Sequence, residues 1–320
     1  MGKKSDIIQD TLTEQIVKNI LPIIKEKTIN ECITEVENLT KNITQVVIKQ
    51  DDLITKETTQ LTHNKFKDVL ALVSNNIPVM LTGGAGSGKS SCCENVAKAL
   101  GLDFYFSNAV TQEYKLTGFI DANGVYHETQ FYKAFKNGGL FVLDEIDASV
   151  PEALVILNTA IANGYFDFPN EKVVANKDFR IVACANTYGL GSDDIYVGRN
   201  QLDGASLDRF AIIKFNYDEE LENNLSEDKD WVKFVEEFRN QIIKKKIKHI
   251  VSMRAIIYGD KMIKAEQDID KIFQQILFKN MELEDIKSIG KIKLEGNKYA
   301  KQFNKIIDNK EDIPEEDIPF

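Results

Sequence analysis

The chain has 320 residues, 43% of them hydrophobic and 28% charged, with a formal net charge of −10. That length can bury a sizeable core and fits two domains, or one domain with a smaller one appended. The acidity gives no bulk attraction to nucleic acid or to an anionic membrane, and no stretch approaches the ~18 consecutive apolar residues a membrane helix needs.

The N-terminus, MGKKSDIIQD, is polar and lacks a continuous apolar stretch, so no secretory signal is expected and the cytoplasm is the expected compartment. Residues 1–60 are rich in Thr, Asn, Lys and Glu. Apolar residues recur at Ile29, Ile33, Val36, Ile43 and Val47, with Thr40 in the gap. Steps alternating between four and three make a short heptad seam. It predicts an N-terminal helical extension packed on the main body, with a helical hairpin or a partner-binding helix as alternatives.

From residue 61 to 218 short apolar runs alternate with helical stretches. The runs are IPVML (77–81), LDFYF (102–106), GLFVL (139–143), FRIVACA (179–185) and AIIKF (211–215). Strands buried on both faces and separated by helices predict an α/β domain, a parallel sheet sandwiched by helices. Residues 219–310 carry helical periodicity, strongest in DWVKFVEEFRNQIIKKKIKHI and RAIIYGDKMIKA, and predict an all-helical second domain. The closing residues 311–320, EDIPEEDIPF, are acidic, contain two prolines and read as a disordered tail.

Within IPVMLTGGAGSGKSS, residues Gly83, Gly88, Lys89 and Ser90 satisfy G-x-x-x-x-G-K-[ST], after an apolar strand and before the helical ENVAKAL. Glycine lets the backbone amides of Gly83, Gly84, Ala85, Gly86, Ser87 and Gly88 turn toward a phosphate chain. Lys89 then reaches the β- and γ-phosphates, Ser90 ligates Mg²⁺, and Ser91 continues the helix start. The chain is therefore expected to bind a nucleoside triphosphate. Cys92 and Cys93 follow, either as small packing residues or as thiols acidified by the helix N-terminus. The four cysteines, Cys32, Cys92, Cys93 and Cys184, include no CxxC pair, which argues against structural zinc and a disulfide framework.

GGLFVLDEIDAS places Asp144 and Glu145 at the end of a buried strand, costly unless they serve an ion or a reaction. Beside a phosphate loop, Asp144 is the candidate for the Mg²⁺ shell and Glu145 for the base that deprotonates the attacking water. Asp147 is expected to cap the following helix. Asn186, ending FRIVACAN, can hold the lytic water or the γ-phosphate; on its own it would be a turn residue.

In this order the motifs resemble the AAA+ ATPases, and specifically their MoxR/CobS-like branch, over about residues 61–262. The matching stretches include GGLFVLDEIDAS, FRIVACANTYG, VGRNQLDGASLDRF and SMRAIIYGDKM. The resemblance implies a ring, usually hexameric, with each nucleotide at a subunit boundary and a helical lid over it. LDRF matches the arginine-finger segment, so Arg209 would enter the neighbour's site; a finger can be worth ~10³–10⁵ in rate. Arg199 matches a position that often carries an interface arginine. Arg254 matches the sensor-2 arginine at the start of a lid helix, with Ser252 as its N-cap. His63 matches the region beside the adenine.

Two hairpins, around Asp-Ala-Asn-Gly (121–124) and in YFDFPNEKVVANKDFRI, match inserts of this branch. They offer Phe119, Tyr126 and Tyr165 as residues that grip a substrate or pack on the core. The implied function is a Mg²⁺-dependent ATPase that remodels a partner protein, in this branch often one with a von Willebrand factor A domain. A nucleic-acid motor or loader, supported by KKKIKH (244–249) alone, is one alternative. A weakly hydrolysing nucleotide-binding scaffold is another; a GTPase is a third, although no guanine-reading motif such as NKxD stands in a suitable place.

Overall fold

A computed structural model describes residues 43–50 and 53–308, apart from 190 and 193–195, with side chains from residue 61 onward. The seam residues Ile29, Ile33 and Val36 and the acidic tail lie outside the described residues.

Residues 43–61 depart from the helical expectation. Strands β1 (Ile43–Gln50) and β2 (Leu53–Leu61) form an antiparallel hairpin with Ile43 opposite Leu61 and Gln50 opposite Leu53. It lies against the helix that follows the phosphate loop. Ile43 and Val47 are four apart, a spacing that a helix and a strand face both allow. The β-branched residues of ITQVVIK and LITKETT tip that choice toward a strand, where restricted χ1 rotamers cost little.

The central sheet has five parallel strands in the order β11-β3-β10-β7-β4: Ala211–Lys214, Val79–Thr82, Phe179–Ala185, Gly139–Leu143 and Phe104–Ser107. Side chains on the inner strands alternate between two apolar clusters. Met80, Phe141, Leu143, Ile181 and Ala183 face one, filled by Phe131 and Phe135 of helix α4 (Gln130–Asn137) and by α5 (Pro151–Asn163). Val79, Leu81, Val142, Val182 and Cys184 face the other, against α1 (Phe66–Ser74) and α2 (Lys89–Leu100). Burial on both faces is what the continuous apolar runs demanded. Strands β4 and β11 differ: they are the two edge strands, and Phe104, Phe106 and Ile212 are exposed.

Cys92 and Cys93 are packing residues. Both are buried, and Cys93 Sγ lies 4.0 Å from Cys184 Sγ. The Cys184 contact and burial push the Cys93 thiol well up, and burial does the same to Cys92. The acidified-thiol alternative falls.

Both expected hairpins form. Short strands β5 (Phe119–Ile120) and β6 (Tyr126–His127), after the single turn α3 (Tyr114–Thr117), pair around an Asp121 whose carboxylate accepts from the Asn123 and Val125 amides. Strands β8 (Tyr165–Asp167) and β9 (Lys172–Val174) make the second. Tyr126 is a packing residue: its hydroxyl donates to Thr117 O at 2.6 Å and its ring meets Tyr132 edge-on. Phe119 and Tyr165 stay exposed.

After α6 (Gly204–Asp208) and β11 the chain is helical. Asp218 caps α7 (Glu219–Leu225), and α8 (Lys229–Lys245), α9 (Met253–Lys264), α10 (Ile269–Ile272, running into a wider turn to Phe278), α11 (Leu283–Ile289) and α12 (Lys298–Asp308) follow. They close on one aromatic cluster of Trp231, Phe234, Phe238, Phe273, Tyr299 and Phe303. Trp231, the single tryptophan, is fully buried and donates its indole N–H to Ile256 O at 3.1 Å.

Candidate functional site

The phosphate loop leaves β3 at a point where no side chain fits. A Cβ on Gly83 would lie 2.0 Å from the Phe215 carbonyl oxygen at the end of β11, so only glycine lets the two strand ends approach. Two tyrosines grip the next turn: Tyr196 OH accepts from the Ala85 amide at 2.8 Å, and Tyr217 OH donates to the Ala85 carbonyl at 2.9 Å. Tyr217 in turn lies under the Arg239 guanidinium, 4.1 Å from ring centroid to Cζ.

Gly86 has φ +69, and a Cβ there would sit 2.7 Å from the Ser252 side chain. The start of α9 therefore rests on the loop at a residue that must stay small. Ser252 Oγ accepts from the Arg254 amide at 3.3 Å, the expected N-cap of α9. Arg254 stands exposed beside it, 3.3 Å from the same Cβ position.

Gly88, at φ +94, precedes the first turn of α2 and provides no side-chain cap for its amides. Lys89 bends back: its Nζ donates to Gly83 O at 2.7 Å, Gly84 O at 3.0 Å and Asn186 Oδ1 at 3.1 Å. Burial lowers the pKa of this ammonium, while Cys184, Asp144 and Asp147 oppose the shift. Ser90 Oγ donates to Asp144 Oδ2 at 2.9 Å.

These groups converge on one cleft of about 530 Å³. Ala85 to Ser91 form its floor, Asp144, Glu145 and Asn186 one end, Met253, Arg254 and Tyr258 the side of α9, and Leu61, His63, Leu221 and Leu225 the far end. Gly83 and Gly84 sit just behind the floor as acceptors for Lys89. Arg199 and Arg209 are not in the wall.

The cleft suits a nucleotide polyphosphate. Ser87 Oγ is buried without a hydrogen-bond partner among the described residues, and Gly86 and Gly88, at φ +69 and +94, bend the loop through left-handed backbone that glycine adopts freely. One hydroxyl and one carboxylate, Ser90 with Asp144, also fit Mg²⁺, a hard cation that keeps most of its sites for water and phosphate oxygens. Among the described residues no group of three or more His, Cys, Asp or Glu side chains could hold a metal alone.

His63 packs at the far end. Its ring stacks on Phe215 with centroids 3.8 Å apart. Nδ1 accepts from the Lys65 amide at 3.0 Å, which leaves Nε2 as the donor to Asn216 O at 2.9 Å. Burial lowers its pKa, against the Asn216 carbonyl and the Asp218 charge, which raise it.

Asp147 does not cap α5. It lies in a short turn (Ile146–Ala148), fully buried, and its Oδ2 accepts from the Asn186 amide at 3.1 Å and the Thr187 amide at 2.9 Å. Its Oδ1 accepts from Arg199 Nη1 at 3.3 Å, and Arg199 Nη2 reaches Glu145 Oε1 at 3.2 Å. Arg199 is thus tied to carboxylates of its own chain. Arg209 closes α6 and folds back on the Ala205 carbonyl, away from its own cleft. Sequence reasoning missed Tyr196, Tyr217 and the anchoring role of Asp147. Only Asp147 had a signal, a third acid in DEID too near the strand end to be idle.

Residues 78–210 match the AAA domain of the dynein-related subfamily. Among curated proteins, an uncharacterised protein of Staphylococcus epidermidis is 29% identical over 168 residues, covering 48% of this chain and 60% of its own length. One of Staphylococcus saprophyticus is 28% identical over 170 residues, with the same 48% and 60% coverage. The chain thus spans about 60% of the length of the curated relatives it matches. Among solved structures, NtrX from Brucella abortus aligns with a TM-score of 0.46 at 17% identity, over 78% of this chain and 59% of that one.

Proposed function

We propose that the chain is a Mg²⁺-dependent AAA+ ATPase of the MoxR/CobS-like kind. In this reading it assembles into a ring, most simply a hexamer, and uses hydrolysis at subunit boundaries to remodel a partner protein in the cytoplasm. The observation that carries the reading is the convergence of Lys89, the Ser90–Asp144 pair, Asn186 and Glu145 on one glycine-floored cleft. The similarity of residues 78–210 to an AAA domain supports it.

ATP is the substrate. Amides of Gly86 to Ser90 and the Lys89 ammonium bind its phosphates. Ser90 and Asp144 would hold Mg²⁺, which when bound neutralises phosphate charge. Asn186 orients the attacking water and Glu145 takes its proton as the bond to the γ-phosphorus forms, releasing ADP and phosphate. Arg209, pointing away from its own cleft, acts on the neighbour's γ-phosphate, and Arg254 reads the nucleotide from the lid. The partner is a protein, with a von Willebrand factor A domain as the favoured type.

Two variants test this. Lys89→Ala should lose ATP binding in calorimetry. Glu145→Gln should bind ATP and hydrolyse it at least ~100-fold more slowly, and in pull-downs should hold its protein partner only with ATP. Unchanged hydrolysis by Glu145→Gln refutes the base assignment, and nucleic acid retained until nuclease treatment overturns the protein-remodelling reading.

A further inference from the structure

The Glu145 carboxylate and the Asn186 amide can hold one water only if their spacing is fixed, although they come from strands β7 and β10. Asp147 touches the supports of both. Through Oδ2 it accepts from the Asn186 and Thr187 amides at 3.1 and 2.9 Å and from the Thr187 hydroxyl at 2.9 Å. Through Oδ1 it holds one arm of the Arg199 guanidinium at 3.3 Å, while the other arm holds Glu145 Oε1 at 3.2 Å. The Asp147 carbonyl also takes the amide of Asn200 at 2.6 Å, and Asn200 Nδ2 donates to Ser149 O at 2.9 Å, so the chain just after Arg199 is fastened to the same turn.

The partners differ in freedom. The Arg199 side chain is 12% exposed and Asp147 fully buried, whereas Glu145 is 45% exposed. Glu145 also sits at φ +54, left-handed backbone that non-glycine residues adopt only when their surroundings enforce it. A half-exposed glutamate left alone samples several rotamers. Here a buried fork ties it to a buried anchor.

We propose that Arg199 is a positioning residue of its own subunit's site: with Asp147 it forms a bracket that sets the Glu145 carboxylate against Asn186. This rests on the ATPase reading above. The task needs arginine, because a planar guanidinium presents two N–H arms to two carboxylates at once while an ammonium is a point charge. The bracket departs from the interface role that the resemblance implied for Arg199, and it gives the three acids of DEID separate duties: metal, base and anchor. Among the described residues the Arg199 side chain bonds only Asp147 and Glu145 and none of the phosphate loop, so its loss should slow the reaction and leave nucleotide binding intact.

The test uses the full chain carrying Arg199→Gln, which keeps a donor for Asp147 and protects the fold, together with Arg199→Lys. Expected for Gln is a fall in kcat on the order of 100-fold, as for a base displaced by about an ångström, with KM for ATP within about twofold. Lysine should restore only part of the rate. Mixing Arg199→Gln with Lys89→Ala subunits should restore nothing, because no subunit of the mixture has both Lys89 and Arg199. Restoration by mixing would place Arg199 in the neighbour's site and overturn the bracket. So would an unchanged kcat, full rescue by lysine, or a raised KM alone. The wild-type rate is the separate control: if the wild type binds ATP and does not turn it over, the ATPase reading has failed before the bracket is reached.

Discussion

Glu236, on α8, gives a prediction whose size follows from its surroundings. Its Oε1 is buried without a partner among the described residues. Glu222 and Glu219 of α7 face it, with Arg239 and Lys233 on its own helix opposing them. Burial first, and then the two glutamates, push its carboxyl from an ordinary 4.5 up to about 7. Between those values the unfolded chain has released the proton and the folded chain has kept it. The folded state then binds more protons, so stability falls as pH rises across that window and levels off above it, once both states have released the proton. At about 1.4 kcal/mol per pH unit the ceiling is about 3 kcal/mol. Partial contact with water screens this to about 1–2 kcal/mol. Glu236→Gln removes the titration. In urea unfolding it should match the wild type near pH 4.5 and exceed it by about 1–2 kcal/mol near pH 8. A constant offset between the two proteins at every pH would refute the argument, as would a variant weaker at high pH.

Two further outcomes are expected. Arg209→Ala should bind ATP as the wild type does but lose hydrolysis, and mixing it with Lys89→Ala should recover part of the rate, the opposite of the result expected for Arg199→Gln; a dead mixture of assembled subunits would sink the finger assignment. Glu222→Ala removes both carboxylate contacts of the buried Arg239, at 2.8 and 2.6 Å, and should cost about 3–5 kcal/mol in unfolding free energy; a loss under about 1 kcal/mol would mean that water reaches the guanidinium.

The groups legible in the sequence share a short span. Gly83 to Ser90 form one turn, and Asp144 and Glu145 are neighbours at the end of one strand, so local chemistry identifies them. Ser252 as the cap of α9 was equally local. The bracket and the tyrosine grip were not legible, because Arg199 meets Asp147 across 52 residues, Tyr196 meets Ala85 across 111 and Tyr217 meets Ala85 across 132. Strand order decides those meetings, and nothing near Tyr217 in FNYD announces a partner in the phosphate loop. The failure at residues 43–61 is of another kind. There the apolar spacing suits two periods, and only the β-branched residues discriminate between them. Strands β4 and β11 carry apolar runs like those of the buried strands, because a run of apolar letters does not say which strands end the sheet.

The placement of Trp231 gives the protein a built-in optical reporter. As the only indole in the chain, buried in the helical cluster and hydrogen-bonded to α9, it confines selectively excited emission to that region. Loosening of the helical cluster shifts that emission to the red as water reaches the ring. Melting of the sheet alone leaves it unchanged. Comparing its transition with that of the backbone circular dichroism therefore reveals, without any label, whether the helical region and the sheet come apart in one step or two.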